Sequence, residues 1–379
     1  MLFITVLHVS AAAGCYTPPG LLATLVEEKR REVERLRRLP EAREDGPWYL
    51  RQAYPATSSS YELGRAIGWR PAQPVIFADL KRAAPGPKLS SVPVAPGLVI
   101  EDALARSLRL GASGALVALD TTSYGGTERD LKAACAFVRD RALPGEIDTP
   151  PIIAKDLIVD PLQLARASCL GARAVLLIAA AALGDLPALL DSCTIMGLEA
   201  LVEVHTPEEA EVAGACGAGV ILVNERDRAT GELVRGQAAR LAPLLPPDTT
   251  CLACGGLERI DQVRTLRRAG YDGFVLGRAL ARDPRDAEAL MAEIIREPVM
   301  QRWSEGLTLP STGGGGGSGS GGGGGGGGGN GSNGGNGGGG GSTSGGIAVQ
   351  PGGAISPVLP GASAEQSFAP TDEGRPYGI

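Results

Sequence analysis

The chain has 379 residues, of which 56 are glycine, with the densest run from Gly313 to Gly346; the ~300 residues outside the glycine-rich part suffice for one large domain. Hydrophobic residues make up 43% and charged residues 21%, with a formal net charge of −6. That balance is that of an ordinary soluble protein and excludes a general electrostatic attraction to nucleic acid, so any phosphate site has to be local. The chain divides into an N-terminal extension (1–20), a helical segment (21–74), a main domain (75–304) and a tail (305–379).

The apolar stretch Leu2–Val9 is too short to span a bilayer and no Lys or Arg precedes it, so no membrane partner or secretory signal is expected. The leader is also unlike an Arg- and Ser-rich transit peptide. Over 21–39, Leu22, Leu25, Val26, Val33 and Leu36 share one helical stripe, with Glu27/Arg31 and Glu34/Arg38 as i,i+4 pairs on the exposed side. An amphipathic helix packed on the main domain is expected there.

From Val75 onward, short apolar runs alternate with longer amphipathic segments. The eight strand candidates are Val75–Lys81, Ala115–Leu119, Pro151–Lys155, Ala174–Ile178, Ala200–Val204, Val220–Val223, Thr250–Ala253 and Gly273–Leu276. Helix starts fall between them: Asp160-Pro161 with Gln163, Thr206-Pro207 with Glu209, and Asp283-Pro284 each pair an N-cap with a proline at the first helical position. Eight such units predict an α/β fold, a parallel (β/α)₈ TIM barrel with an extra N-terminal helix. An open doubly wound sheet would call for a G-x-G-x-x-G after the first strand, which is missing. The Gly-, Ser- and Pro-rich tail cannot bury enough apolar surface to offset its ordering entropy, and is expected to be disordered.

Seven cysteines are scattered through apolar stretches, and only Cys251 and Cys254 form a C-x-x-C pair. With two histidines in the whole chain, buried thiols are expected rather than a disulfide framework or a metal site.

Active sites of such barrels lie at the C-terminal ends of the strands. Polar residues closing apolar strands are therefore the candidates: Asp79 and Lys81, Lys155, Glu203 and Asn224. Two lysines and two carboxylates at one mouth suit general acid-base work on an anionic ligand. Glu203 is the sharpest, because a carboxylate between Val202 and Val204 is costly unless it is paired or used. His205 is expected to face the helix layer and to have no role. For phosphate, the glycines after the last two strands, Gly255, Gly256 and Gly277, with Arg278, offer backbone N–H groups and a guanidinium.

Together these residues match a family. Ile76-Phe77-Ala78-Asp79-Leu80-Lys81-Arg82-Ala83-Ala84-Pro85 resembles the first-strand signature I-A-E-x-K-R-x-S-P-S of indole-3-glycerol-phosphate synthases. Ala154–Pro161, Leu201–His205 and Val223–Asp227 are similar to that family's K-D-F-I-x-D-P, L-V-E-V-H and I-N-N-R-D, and Leu119–Gly126 to its second-strand loop. The resemblance covers residues 21–297. It implies a lyase of tryptophan biosynthesis that closes the indole ring of 1-(2-carboxyphenylamino)-1-deoxyribulose 5-phosphate with loss of carbon dioxide and water, without metal or organic cofactor.

On the resemblance, Lys155 is the acid on the ribulose carbonyl, Lys81 the partner of the ring carboxylate, and Glu203 the base or the stabiliser of the nitrogen cation. Asp79 keeps a catalytic carboxylate where the family has Glu. Asn224 orients a sugar hydroxyl, Leu157 and Tyr124 pack on the aromatic ring, and Cys254 lines the substrate site. Gly255, Gly256, Gly277 and Arg278 hold the phosphate. Ala84, Cys254, Gly255 and Arg278 replace the family's Ser, Glu, Ser and a small or polar residue. These departures keep a second reading open: a weakly catalytic paralogue that binds a phosphosugar or an indole-pathway metabolite as a sensor or partner subunit. The expected compartment is the cytoplasm, or the plastid stroma for a photosynthetic eukaryote. Beyond the small-molecule substrate, other tryptophan-pathway enzymes are the partner class to consider.

Overall fold

Eight short strands close into a parallel barrel in the computed structural model of the chain, which describes residues 18, 20–57, 61–68, 73–86, 91–142, 149–228 and 230–297. The glycine-rich tail and most of the N-terminal extension lie outside the described residues. The barrel strands are β1 (Val75–Leu80), β4 (Gly114–Ala118), β5 (Ile152–Lys155), β6 (Ala174–Ile178), β7 (Glu199–Val204), β8 (Val220–Asn224), β9 (Thr250–Cys254) and β10 (Gly273–Leu276). After β1 the chain makes a small antiparallel hairpin, β2 (Ala83–Pro85) and β3 (Ser91–Pro93), which the apolar runs do not announce.

Among the described residues, three helices precede the barrel: α1 (Gly20–Leu36), α2 (Pro47–Ala53) and α3 (Glu62–Ile67). The outer layer contains α4 (Ile100–Arg109), α6 (Glu128–Arg139), α7 (Pro161–Cys169), α8 (Leu186–Ile195), α9 (Pro207–Ala215), α10 (Gln237–Leu241), α11 (Ile260–Arg268) and α13 (Pro284–Ile295). Two single turns sit in the loops, α5 (Thr121–Tyr124) and α12 (Arg278–Ala281). The proline starts behave as their spacing requires. Asp160 accepts from the Leu162 N–H at 2.9 Å while Gln163 accepts from Val159 at 2.8 Å, and Thr206 accepts from Glu209 N–H at 3.2 Å. No described helix is long and apolar enough to cross a membrane.

Because side chains alternate along a strand, each strand feeds two cores. Ile76, Val117, Val202 and Ile221 pack outward in the layer shared with the helices. Phe77, Leu116, Ile153, Leu201, Leu222 and Leu252 point inward and fill the barrel. Carrying the inward phase two residues further toward the C-terminal ends reaches Asp79, Lys155, Glu203, Asn224 and Cys254. The apolar interior therefore turns polar at the C-terminal ends of the strands, where a barrel places its chemistry.

The helices before the barrel close both ends. At the base, the backbone N–H groups of Leu63 and Gly64 in α3 donate to the two carboxylate oxygens of Glu199, each at 2.7 Å. At the polar end, α1 lays Leu22 and Val26 against the interior cluster. Its Lys29, only 3% exposed, pairs with Asp120 after β4 and with Asp156 after β5 at 2.9 Å. Glu27 pairs with Arg31 at 3.6 Å as expected, but Glu34 meets Arg37 rather than Arg38.

Candidate active site

One cleft at the polar end gathers Asp79, Lys81, Tyr124, Lys155, Glu203, Asn224, Cys254, Gly255, Gly256, Gly277 and Arg278. Leu157, the remaining candidate, lines an adjoining apolar slot with Leu22, Leu25 and Ile178. Tyr124 and Arg228 belong to both cavities and stand between them.

Asp79 is the hub of one wall. Its Oδ1 accepts from Lys155 Nζ at 2.9 Å and its Oδ2 at 3.0 Å, and Oδ2 also pairs with Lys81. Burial alone would raise the carboxyl, but the charges of Lys155 and Lys81 outweigh it and hold Asp79 at about 2. The shorter aspartate side chain thus meets both lysines.

The two lysines respond differently to the same partner. Burial depresses Lys81 to about 8, because Asp79 only partly offsets desolvation and the charge on Lys155 adds to it. Burial pulls on Lys155 as well, yet Asp79, Tyr124 and Glu203 outweigh it, and its ammonium is held well above the ordinary lysine value. The Tyr124 ring centroid lies 4.9 Å from Lys155 Nζ, a cation–π distance.

Glu203 faces this wall and is 1% exposed. Arg228 Nε donates to its Oε1 at 2.8 Å and Arg228 Nη2 donates to the same oxygen. Desolvation works against the charged form, but Arg228 first, then His205 and Lys155, hold the carboxyl well below the usual carboxylate range. Arg228 Nη1 also donates to the Tyr124 hydroxyl at 3.2 Å. Arg228 lies one residue beyond the Val223–Asp227 motif and is not among the residues expected from sequence; its position four residues past the end of β8 is the one signal that marks it.

His205 corrects an expectation. It does not simply face the helices: Nδ1 lies 3.0 Å from Glu209 at the start of α9, and Nε2 lies 3.1 Å from Glu203 Oε1. The ring sits between the two carboxylates and links the end of β7 to the first turn of α9.

The anion end is glycine-built. Gly255 has φ +95° and Gly256 φ +65°, backbone that side chains rarely adopt. A Cβ on Gly255 would meet Asn224 Oδ1 at 2.8 Å. That same oxygen accepts from the Arg226 N–H at 2.9 Å, which leaves the Asn224 amino group as donor. Arg226, which lies within the Val223–Asp227 motif but has no role assigned from sequence, lines the cleft beside Arg228 and Arg278, so three guanidinium groups edge one opening. Cys251 and Cys254 are both buried in β9. Burial pushes the Cys254 thiol far above its usual range, so it lines the cleft as a neutral group. Among the described residues no cluster of His, Cys, Asp and Glu could hold a metal ion.

The family model described as indole-3-glycerol phosphate synthase matches residues 22–293. Three curated proteins of that name are similar along most of their length. The one from Micrococcus luteus is 34% identical over 279 residues, 72% of this chain and 96% of its own. That from Syntrophobacter fumaroxidans is 30% identical over 275 residues, 72% and 96%. That from Chlorobium phaeovibrioides is 31% identical over 267 residues, 68% and 93%.

Proposed function

The chain belongs to the indole-3-glycerol phosphate synthase family, and from that premise we propose that it is a carbon–carbon lyase closing the indole ring of 1-(2-carboxyphenylamino)-1-deoxyribulose 5-phosphate. The observation that carries this reading is the pairing of both cleft lysines with Asp79, opposite a buried anionic Glu203.

The substrate carries a phosphate, a ring carboxylate and a ketone, and each finds a matching group. The glycines at 255, 256 and 277 with Arg278 take the phosphate. The aromatic ring enters the slot of Leu22, Leu25, Leu157 and Ile178, packed against Tyr124. Lys81 meets the ring carboxylate, and the Asn224 amino group donates to a sugar hydroxyl. Lys155 donates to the ketone oxygen. Its raised pKa makes it a weak acid toward a ground-state ketone, and transfer becomes favourable as the oxygen takes on alkoxide character during carbon–carbon bond formation. Carbon dioxide then leaves the ring carbon, and water leaves the former ketone carbon to complete the aromatic system. The changed positions Asp79, Ala84, Gly255 and Cys254 all line the cleft.

The test follows indole fluorescence when the purified chain is mixed with the substrate, beside a Lys155→Ala control. Turnover that is lost in the control supports the synthase. A folded chain that binds the substrate without turnover would favour the weakly catalytic paralogue instead.

A further inference from the structure

Two guanidinium nitrogens converge on one oxygen of Glu203. Arg228 Nε and Nη2 both donate to Oε1, and His205 Nε2 lies 3.1 Å from it without making a hydrogen bond, while no described residue bonds Oε2. A carboxylate held this way has one oxygen spent on the protein and one left for the cleft. The flanks of Arg228 are tied together: Gly231 N–H donates to Asp227 O and Asp227 N–H donates to Glu232 O, each at 2.9 Å, and Arg226 Nη1 donates to Gly231 O at 2.6 Å. Its third contact, to the Tyr124 hydroxyl, ties the guanidinium across the boundary between cleft and slot.

We infer that Arg228 is a positioning residue for Glu203: it clamps Oε1 so that Glu203 meets the ligand through Oε2 as a fixed anion and keeps no proton during turnover. This decides between the two roles open to Glu203. A base must accept a proton and release it, whereas a carboxylate bonded side-on by a guanidinium stabilises developing positive charge without titrating. The inference rests on the ring-closing reading for the identity of the cation it faces, the nitrogen of the condensing intermediate. The clamp itself does not depend on it.

The other charged groups around Glu203 leave Arg228 as the deciding one. His205, on the same strand, is shared with Glu209 of α9. Lys155 at the end of β5 is bonded to Asp79 of β1. Tyr124 of α5 and Cys254 of β9 are both kept neutral by burial, which pushes each upward. Without Arg228, a carboxylate that is 1% exposed would have only the His205 ring beside it, at 3.1 Å.

The experiment is a pH titration of the Glu203 carboxyl by carbon NMR in the full-length chain labelled at glutamate Cδ, with the resonance assigned by its loss in Glu203→Gln. In the wild type the resonance is expected to stay flat down to acid unfolding. In Arg228→Met it should titrate at or above the ordinary glutamate value of about 4.3. In kinetics, kcat of Arg228→Met should fall at least about tenfold, with KM changing less than about threefold. An acid limb should also appear in kcat at the NMR midpoint, and Arg228→Lys should recover part of both. A purely structural role would lower the amount of folded protein without creating that limb. Should Arg228→Met fail to fold, Arg228→Gln, which keeps a polar side chain of similar length without the charge, supplies the same comparison. Wild-type titration of Glu203 in the ordinary range, or an unchanged flat response in the folded uncharged variant, would overturn the clamp. Failure of the wild type to turn over substrate would sink the ring-closing reading alone, since the titration decides on the clamp without it.

Discussion

Asp79 holds both lysines of the cleft at once: Lys155 Nζ lies 2.9 and 3.0 Å from its two oxygens, and Lys81 Nζ bonds the second. A single carboxylate thereby sets the charge state and the position of the proton donor and of the carboxylate-binding group together. Replacing it with Asn keeps the shape and removes the charge. Asp79→Asn is expected to lower kcat/KM by roughly 10²–10³-fold, while Asp79→Glu, which restores a carboxylate on a longer arm, should stay within about tenfold. Steady-state kinetics by indole fluorescence, with circular dichroism as the fold control, check both.

Lys81 titrates near the working pH. With its value depressed to about 8, the ammonium is present below that pH and lost above it, so binding of the ring carboxylate weakens on the alkaline side. The expected kcat/KM profile falls above pH about 8. Lys81→Arg, which keeps the charge at every accessible pH, should remove this limb even if it lowers the plateau. A limb unchanged in that variant would assign the titration elsewhere.

Gly255 tests the phosphate end. Its φ of +95° and the 2.8 Å approach of a would-be Cβ to Asn224 Oδ1 mean that Gly255→Ala strains the backbone by about 1–3 kcal/mol and pushes on the Asn224 amide. KM is expected to rise by roughly tenfold or more, as is the inhibition constant of inorganic phosphate. A conservative change at Gly219, where a Cβ meets nothing within 4 Å, should leave both alone.

Lys29 tests the docking of α1. Burial works against its charge, but Asp156, Asp120 and Glu32 outweigh that and hold its pKa above the ordinary lysine value. Lys29→Met strands two carboxylates that are each 1% exposed and should cost about 3–5 kcal/mol, the usual cost of breaking a buried pair. Because the folded value lies above the unfolded one, this stabilisation is complete below pH about 10.4 and fades as pH rises through the folded value. Urea titrations across that range should therefore bring wild type and variant closer together. A constant difference would mean that the loss is packing alone.

The barrel was legible in the sequence because its signals are local. A parallel strand covered on both faces is apolar along its length, and the eight runs from Val75 to Leu276 announce themselves without reference to one another. The proline-led starts at Asp160, Thr206 and Asp283 need only their own neighbours. The same holds for Asp79, Lys155, Glu203 and Asn224, each marked as a polar residue ending an apolar strand. What the sequence by itself determined is which strand residues reach the mouth. What only the tertiary structure decided is who meets whom there. Asp79 and Lys155 are 76 positions apart, Lys29 and Asp120 are 91, and Arg228 and Glu203 are 25. Lys29 lies on the buried face of a helix whose charges read as solvated, and Arg228 lies on a loop where an arginine is ordinarily unremarked. Ion pairs of that kind have no spacing rule, because the distance between their partners is set by barrel closure and by the docking of α1, neither of which any short stretch of chain encodes.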